Sequence, residues 1–194
     1  DNSDELPIEI EHIAGVLTGN YETSSWQHLK KARAVDFYDI KGIVSAYLDQ
    51  IGVENVRYVA TDRHSNMHPG QTAGIYLGEE LIGFVGQVHP KIAASYELKS
   101  AFVAELNLEA MLTQEKSPLI FEAVSKYPAV SRDIAMLVEE TSTNAEIAEI
   151  IRTSAGKFLT KLQVFDVYQG ENIEAGKKSM AYNLTFVNPE ATLT

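Results

Sequence analysis

The chain has 194 residues, 45% hydrophobic and 22% charged, with no cysteine and a formal net charge of −11 at pH 7. These values suit one large or two small globular domains with a real core and exclude a disulfide framework or a thiolate metal site. They argue against bulk, sequence-blind nucleic-acid binding, which runs on phosphate neutralisation. No apolar run approaches the roughly 20 residues of a membrane span.

The acidic start, Asp1-Asn2-Ser3-Asp4-Glu5, lacks the basic and apolar regions of a signal peptide, so a cytoplasmic protein without membrane contact is expected. Residues 8–17 read as a strand broken by Gly15, and 21–25 as loop before the only tryptophan, Trp26. Apolar residues at 37, 40, 43, 44, 47, 48 and 51 follow the helical period. Asp36 is placed as N-cap with Asp39 at N3, and Gly52 at the end, so the helix should span 36–51. A short strand over 56–60 and a polar loop over 61–70 follow. Strands over 72–77 and 80–88 flank Gly78-Glu79, a hairpin signal. Pro90 opens a short helix over 90–96. A strand over 101–108 and a helical turn over 107–112 close this part.

The second part begins with Lys126-Tyr127-Pro128-Ala129-Val130-Ser131-Arg132 and a strand over 133–138. Thr141-Ser142-Thr143 caps a helix over 144–153, with Ile147, Ile150 and Ile151 as its apolar stripe. Strands over 162–168 and 179–187 enclose a loop of seven or eight residues containing Gly170, Asn172 and Gly176. The fold class is therefore α+β. A mostly antiparallel sheet comes first, then β-α-β-β, three quarters of a ferredoxin-like unit. The domain expectation is 1–112, a linker at 113–118, and 119–194.

Charge is uneven along the chain. Residues 1–118 carry 9 Lys and Arg against 17 Asp and Glu, and residues 119–194 carry 7 against 10. Lys177 and Lys178 form a basic spot at the hairpin mouth, where phosphate binding competes with plain solubility. Strand parity puts Met180, Tyr182, Leu184 and Phe186 on the core face and Ser179, Ala181, Asn183 and Thr185 outside. Bound RNA would then be held by the hairpin mouth, the strand edge and 126–132 rather than by aromatic stacking on this strand.

Elsewhere the chemistry is thin. His64 and His68 have helical metal-ligand spacing, but His68 precedes Pro69 and no third ligand lies nearby. His68-Pro69 and His89-Pro90 sit at the ends of one hairpin, where the imidazoles can fix turns. Gly78, Gly83 and Gly86 lie in a strand context, which makes a poor phosphate cradle. No nucleophile, base and oxyanion set assembles. These residues leave open a binding chain, an amino-acid regulatory module and a metal hydrolase using His64 and His68.

Residues 125–135, Ser-Lys-Tyr-Pro-Ala-Val-Ser-Arg-Asp-Ile-Ala, together with Phe165-Asp166-Val167-Tyr168-x-Gly170 and Gly176-Lys177-Lys178-Ser179-x-Ala181, closely resemble a known domain. It is the ferredoxin-fold anticodon-binding domain that ends β subunits of the bacterial phenylalanyl-tRNA synthetase family. The closing Thr192-Leu193-Thr194 is similar to the residues before that domain's second helix. Asp36-Phe37-Tyr38-Asp39-Ile40-Lys41-Gly42, His68-Pro69-Gly70-x-x-Ala73 and Gly83-x-x-Gly86-x-x-His89-Pro90 resemble the family's catalytic-like module.

The resemblance implies a non-catalytic assembly module followed by an anticodon-binding domain lacking its last helix and strand. Met180, Tyr182 and Leu184 should then lose part of their cover, and the strand over 133–138 should lose a neighbour. It implies an (αβ)₂ heterotetramer with an α subunit that holds the active site and charges tRNA(Phe) using ATP and Mg²⁺. No cofactor and no activity are expected of this chain alone. The implied tRNA-binding residues are Lys126, Arg132, Tyr168, Lys177, Lys178 and Ser179. Ser131 stands where the family often has arginine, which removes one phosphate-seeking charge.

Overall fold

The computed structural model describes residues 8–21, 33–113, 121 and 123–193. Trp26, most of the expected 21–25 loop, the 113–118 linker beyond Thr113, and Thr194 lie outside the described residues. The chain forms two compact units, Asp1–Leu119 and Ile120–Thr194. No helix among the described residues is long and apolar enough to cross a membrane.

The first unit is a five-stranded antiparallel sheet with one long helix and two short ones. Its strands are β1 (His12–Thr18), β2 (Val56–Ala60), β3 (Met67–Leu77), β4 (Glu80–Val88) and β5 (Ala101–Asn107), in the order β1-β5-β4-β3-β2. Helix α1 (Phe37–Gln50) starts at a complete capping box. The Asp36 carboxylate accepts the Tyr38 and Asp39 amides, and the Asp39 carboxylate accepts the Asp36 amide. Arg33 donates to both Asp39 oxygens at 2.8 and 2.7 Å. This guanidinium is the main reason the Asp39 pKa falls to about 2. Gly52, with φ of 77°, ends the helix.

Four-residue spacing then sets Ile40, Val44 and Leu48 of α1 into a core with Ile75, Val85, Ala104 and Leu106 of the sheet. Close packing within the sheet depends on glycine. A Cβ on Gly83 would collide with the Glu105 carbonyl and sit 2.9 Å from the Leu106 Cα.

Two expectations for this unit need correction. β1 starts later than residue 8 and runs unbroken through Gly15, because that residue pairs in register with Ala104. The 61–70 loop is shorter than expected. β3 begins at Met67, which is buried and pairs with Val88 before a register shift. Its single apolar side chain is drawn in by tertiary pairing that local composition does not show. Helices α2 (Pro90–Ser95) and α3 (Leu108–Leu112) fall where the sequence places them, capped by the His89 and Asn107 side chains.

The second unit has β6 (Val130–Glu139), α4 (Asn144–Ala155), β7 (Leu159–Tyr168) and β8 (Lys177–Phe186), in the sheet order β6-β8-β7. This is the β-α-β-β arrangement expected from the sequence. Thr143 and Glu146 form the capping box of α4. Its buried stripe is Ile147, Ala148 and Ile151, whereas Ile150 is 65% exposed. The apolar period there includes a flank position that the three-stranded sheet is too narrow to cover.

Met180, Tyr182 and Leu184 are buried in one cluster with Ile147 and Ile151. The expected loss of cover on these three residues is therefore not met, since α4 lies directly over them. The Tyr182 hydroxyl donates to Asn144 Oδ1 at 2.9 Å, and burial pushes the phenol pKa up. Among the described residues, β6 pairs with β8 alone.

Candidate nucleic-acid interface

The β7–β8 hairpin positions most of the residues singled out for RNA contact. Its eight-residue loop, 169–176, is braced from inside. The Ile173 amide donates to the Gly170 carbonyl at 2.9 Å, and the Lys177 amide to the Glu174 carbonyl at 3.0 Å. Gly176 takes φ of 83°, a conformation open to glycine at no steric cost. Across the sheet, Tyr168 pairs with Ser179, which pairs on its other side with Leu137.

Antiparallel partners share a face, so register separates the two sides of this sheet. One side packs on α4. The other bears Ser131, Asp133, Ala135 and Leu137 of β6, and Thr185, Asn183, Ala181, Ser179 and Lys177 of β8. From β7 it bears Lys161, Gln163, Asp166 and Tyr168. At its centre the Asn183 amide donates to Ser131 Oγ at 2.7 Å and Asp133 Oδ1 at 2.6 Å. Leu137 (60%) and Tyr168 (44%) are solvent-exposed. The parity expected for β8 holds, with Ser179, Ala181, Asn183 and Thr185 turned away from the core.

A residue that sequence reasoning passed over is Phe165. A register irregularity between Val164 and Asp166 leaves Phe165 without a partner in β8, and it is 57% exposed. The extra residue in β7 locally interrupts the alternation of its two faces. Strict alternation cannot reveal this. The sequence signal is the apolar pair Val164-Phe165, where the alternation of the strand breaks.

The cations fall into two groups. Lys177 pairs with Glu174 at 2.8 Å, and Lys178 donates to the Glu140 carbonyl at 2.9 Å. These two lysines are neighbours in sequence but lie on opposite sides of the sheet, opposite Glu139 and Val138 respectively. Arg132 donates to the Ser131 carbonyl at 3.0 Å and pairs in register with Leu184. Leu184 lies six positions along β8 from Lys178, roughly 20 Å at the usual rise of about 3.4 Å per residue. Arg132 therefore sits at the far end of the sheet from the hairpin mouth, on the parity of the α4 side. Lys126 is exposed in the segment leading into β6. Thus Tyr168, Lys177 and Ser179 come together on one face, Lys178 lies beside them on the other, and Arg132 is distant.

Three of the described histidines make local contacts. His68 Nδ1 accepts the Gly70 amide at 3.0 Å, and His89 Nδ1 accepts the Lys91 amide at 3.2 Å. His64 stacks on Phe84 with ring centroids 4.2 Å apart. Among the described residues no three His, Asp or Glu side chains gather as a metal-ligand set.

Two family models match the chain. Residues 1–108 match the family described as the phenylalanyl tRNA synthetase beta chain CLM domain. Residues 125–194 match the ferredoxin-fold anticodon binding domain. The phenylalanine–tRNA ligase beta subunit of Bacillus subtilis (strain 168) is 45% identical over 98% of this chain and 24% of its own length. That of Streptococcus agalactiae is 47% identical over 98% and 24%. That of Lactiplantibacillus plantarum is 45% identical over 96% and 23%. The chain spans about a quarter of the length of the curated relatives it matches.

Proposed function

The chain belongs to the phenylalanyl-tRNA synthetase β-chain family, and we propose that it works as the assembly and tRNA-binding part of a phenylalanine–tRNA ligase. Residues 1–112 form the non-catalytic module that helps hold a cytoplasmic (αβ)₂ heterotetramer together. Residues 119–194 hold the anticodon region of tRNA(Phe). The observation that carries this reading is the solvent-facing side of the second sheet, where Tyr168, Ser179 and Lys177 converge around polar strand residues. Exposed rings beside hydrogen-bonding side chains suit unstacked bases of a single-stranded loop. The family match over 125–194 supports an RNA ligand rather than an amino-acid effector.

The chemistry belongs to the α subunit, which joins phenylalanine to tRNA with ATP and Mg²⁺. The described residues here offer no three-carboxylate set for a metal, so no step through Mg²⁺ is assigned to this chain. Its part is to bind and orient. Lys177 and Lys178 meet phosphates at the hairpin mouth, and Lys126 and Arg132 meet them at the other end of the sheet. The net charge of −11 keeps the remainder from attracting RNA without discrimination.

Reconstitution of full-length β with α, followed by tRNA affinity at two salt concentrations, tests this. Each Lys→Ala or Arg→Ala change should flatten the salt dependence by up to about one unit of slope. Four unchanged slopes would reduce these cations to solubility charges and remove the phosphate contacts from the proposal.

A further inference from the structure

Tyr168 ends β7 with its ring folded back over the loop, and Gly170 is the residue that allows it. A Cβ built on Gly170 would fall 2.7 Å from Tyr168 Cζ and 3.3 Å from Cε1, and would collide with the phenolic oxygen itself. Real Cβ atoms do not approach so closely, so any side chain at 170 must displace something. The backbone at 170 is held, because its carbonyl accepts the Ile173 amide inside the loop. The strand end is held too, because Tyr168 is registered against Ser179. The movable part is the phenol, the free end of a side chain 44% exposed.

We propose that Gly170 is a positioning residue for RNA binding. By lacking a side chain it lets the Tyr168 phenol rest against the loop backbone, so the ring is held in place before a base arrives. This rests on the reading that tRNA contacts the open face of the second sheet. An exposed tyrosine with free χ angles loses rotamer freedom when a base stacks on it. A ring already lodged over Gly170 has lost much of that freedom on folding, and pre-organisation of this kind raises affinity. The substitution Gly170→Ala should push the phenol off its seat while leaving the sheet intact, since the collision is with a side-chain tip and not with backbone.

The test is a double-mutant cycle in the α-plus-full-length-β enzyme, using Gly170→Ala, Tyr168→Ala and the pair, read as tRNA(Phe) dissociation constants. It is run beside a nuclear Overhauser measurement between the Tyr168 ring protons and the Gly170 Hα protons in this 194-residue chain. We expect the ring-to-Hα contact to be present. Tyr168→Ala should weaken tRNA binding by about tenfold, the scale of one lost base–aromatic stack. Gly170→Ala should weaken it by about three- to fivefold, as a partial loss of that same stack. In the Tyr168→Ala background, Gly170→Ala should have no further effect.

A Gly170→Ala loss that persists in full without Tyr168 would overturn the positioning role, as would an absent ring-to-Hα contact. So would unchanged affinity in Gly170→Ala when Tyr168→Ala is weakened. Unchanged affinity in Tyr168→Ala would instead overturn the tRNA-contact reading, and the proposal with it. The Overhauser contact then reports separately whether the ring and glycine are packed as described.

Discussion

The two units spend their secondary structure differently. In the first, five strands and a fourteen-residue helix bury a cluster of fifteen side chains. In the second, three strands and a twelve-residue helix bury only five in theirs, with a fringe of half-buried neighbours. The first packs tightly enough that Gly83 cannot carry a methyl group. The second leaves the far side of its sheet to solvent and lines it with Ser131, Asp133, Asn183 and Thr185. A small sheet with one helix has one face to bury and one to use. Under the proposed function, the first unit's deep burial suits an assembly module, and the second gives up part of its apolar burial for a surface that meets a ligand.

The largest test of this contrast is truncation in each core. Leu48 is 1% exposed in the core of the first unit, and Leu48→Ala should cost about 3 to 4 kcal/mol. Ile147 is 7% exposed in the smaller core of the second unit, where collapse around a cavity is easier, so Ile147→Ala should cost about 2 kcal/mol. Amide exchange resolved over 33–113 and over 130–186 reads each loss where it occurs. A larger loss for Ile147 than for Leu48 would break the comparison.

A smaller effect probes what the second unit uses in place of volume. Tyr182 is 1% exposed, yet its hydroxyl reaches Asn144 at the start of α4. That single bond ties β8 to the helix N-terminus. Tyr182→Phe keeps the ring and leaves the Asn144 oxygen able to find water, so the expected loss is about 1 kcal/mol. Urea denaturation with an unchanged m-value would report it cleanly. A neutral or stabilising Tyr182→Phe would mean the ring alone anchors the helix.

Much of this was legible in the sequence, and the failures share a cause. The α1 helix was readable because its apolar period and Asp36/Asp39 cap are local and agree with each other. The β8 faces were readable because alternation is strict there. Met67 was missed because only its pairing with Val88 makes it strand, and Ile150 because sheet width decides which flank of a helix is covered. At the candidate interface, the approach of Tyr168 to Ser179 follows from hairpin register. Phe165 depends on an irregularity in β7, and the separation of Lys177 from Lys178 on register with β6. Adjacent lysines in sequence suggest one basic spot, and a strand turns them to opposite sides. Non-local pairing and strand irregularities are what the linear pattern cannot carry.

The smallest expected effect separates the two helix caps by pH. Both α1 and α4 begin with capping boxes, but only the first is backed by a guanidinium. Asp39 has its pKa lowered from 3.8 to about 2, chiefly by the Arg33 hydrogen bond. A carboxylate with a depressed folded pKa stabilises above its unfolded value and loses that contribution as pH falls through the folded one. The Asp39 contribution is therefore complete above about pH 4 and gone below about pH 2. Asp39→Asn retains an acceptor for the Asp36 amide and removes the charge. Its melting temperature should lie below that of the unsubstituted chain at pH 5, and the gap should close as pH approaches 2. Glu146 is also lowered, first by the Thr143 amide and hydroxyl, with Lys178 a minor contributor. Glu146→Gln should open a smaller gap that closes in the same direction, because hydrogen-bond donors remain where the full charge of an arginine is missing. A gap in either variant that ignores pH would assign the cap to geometry alone and erase this difference between the two units.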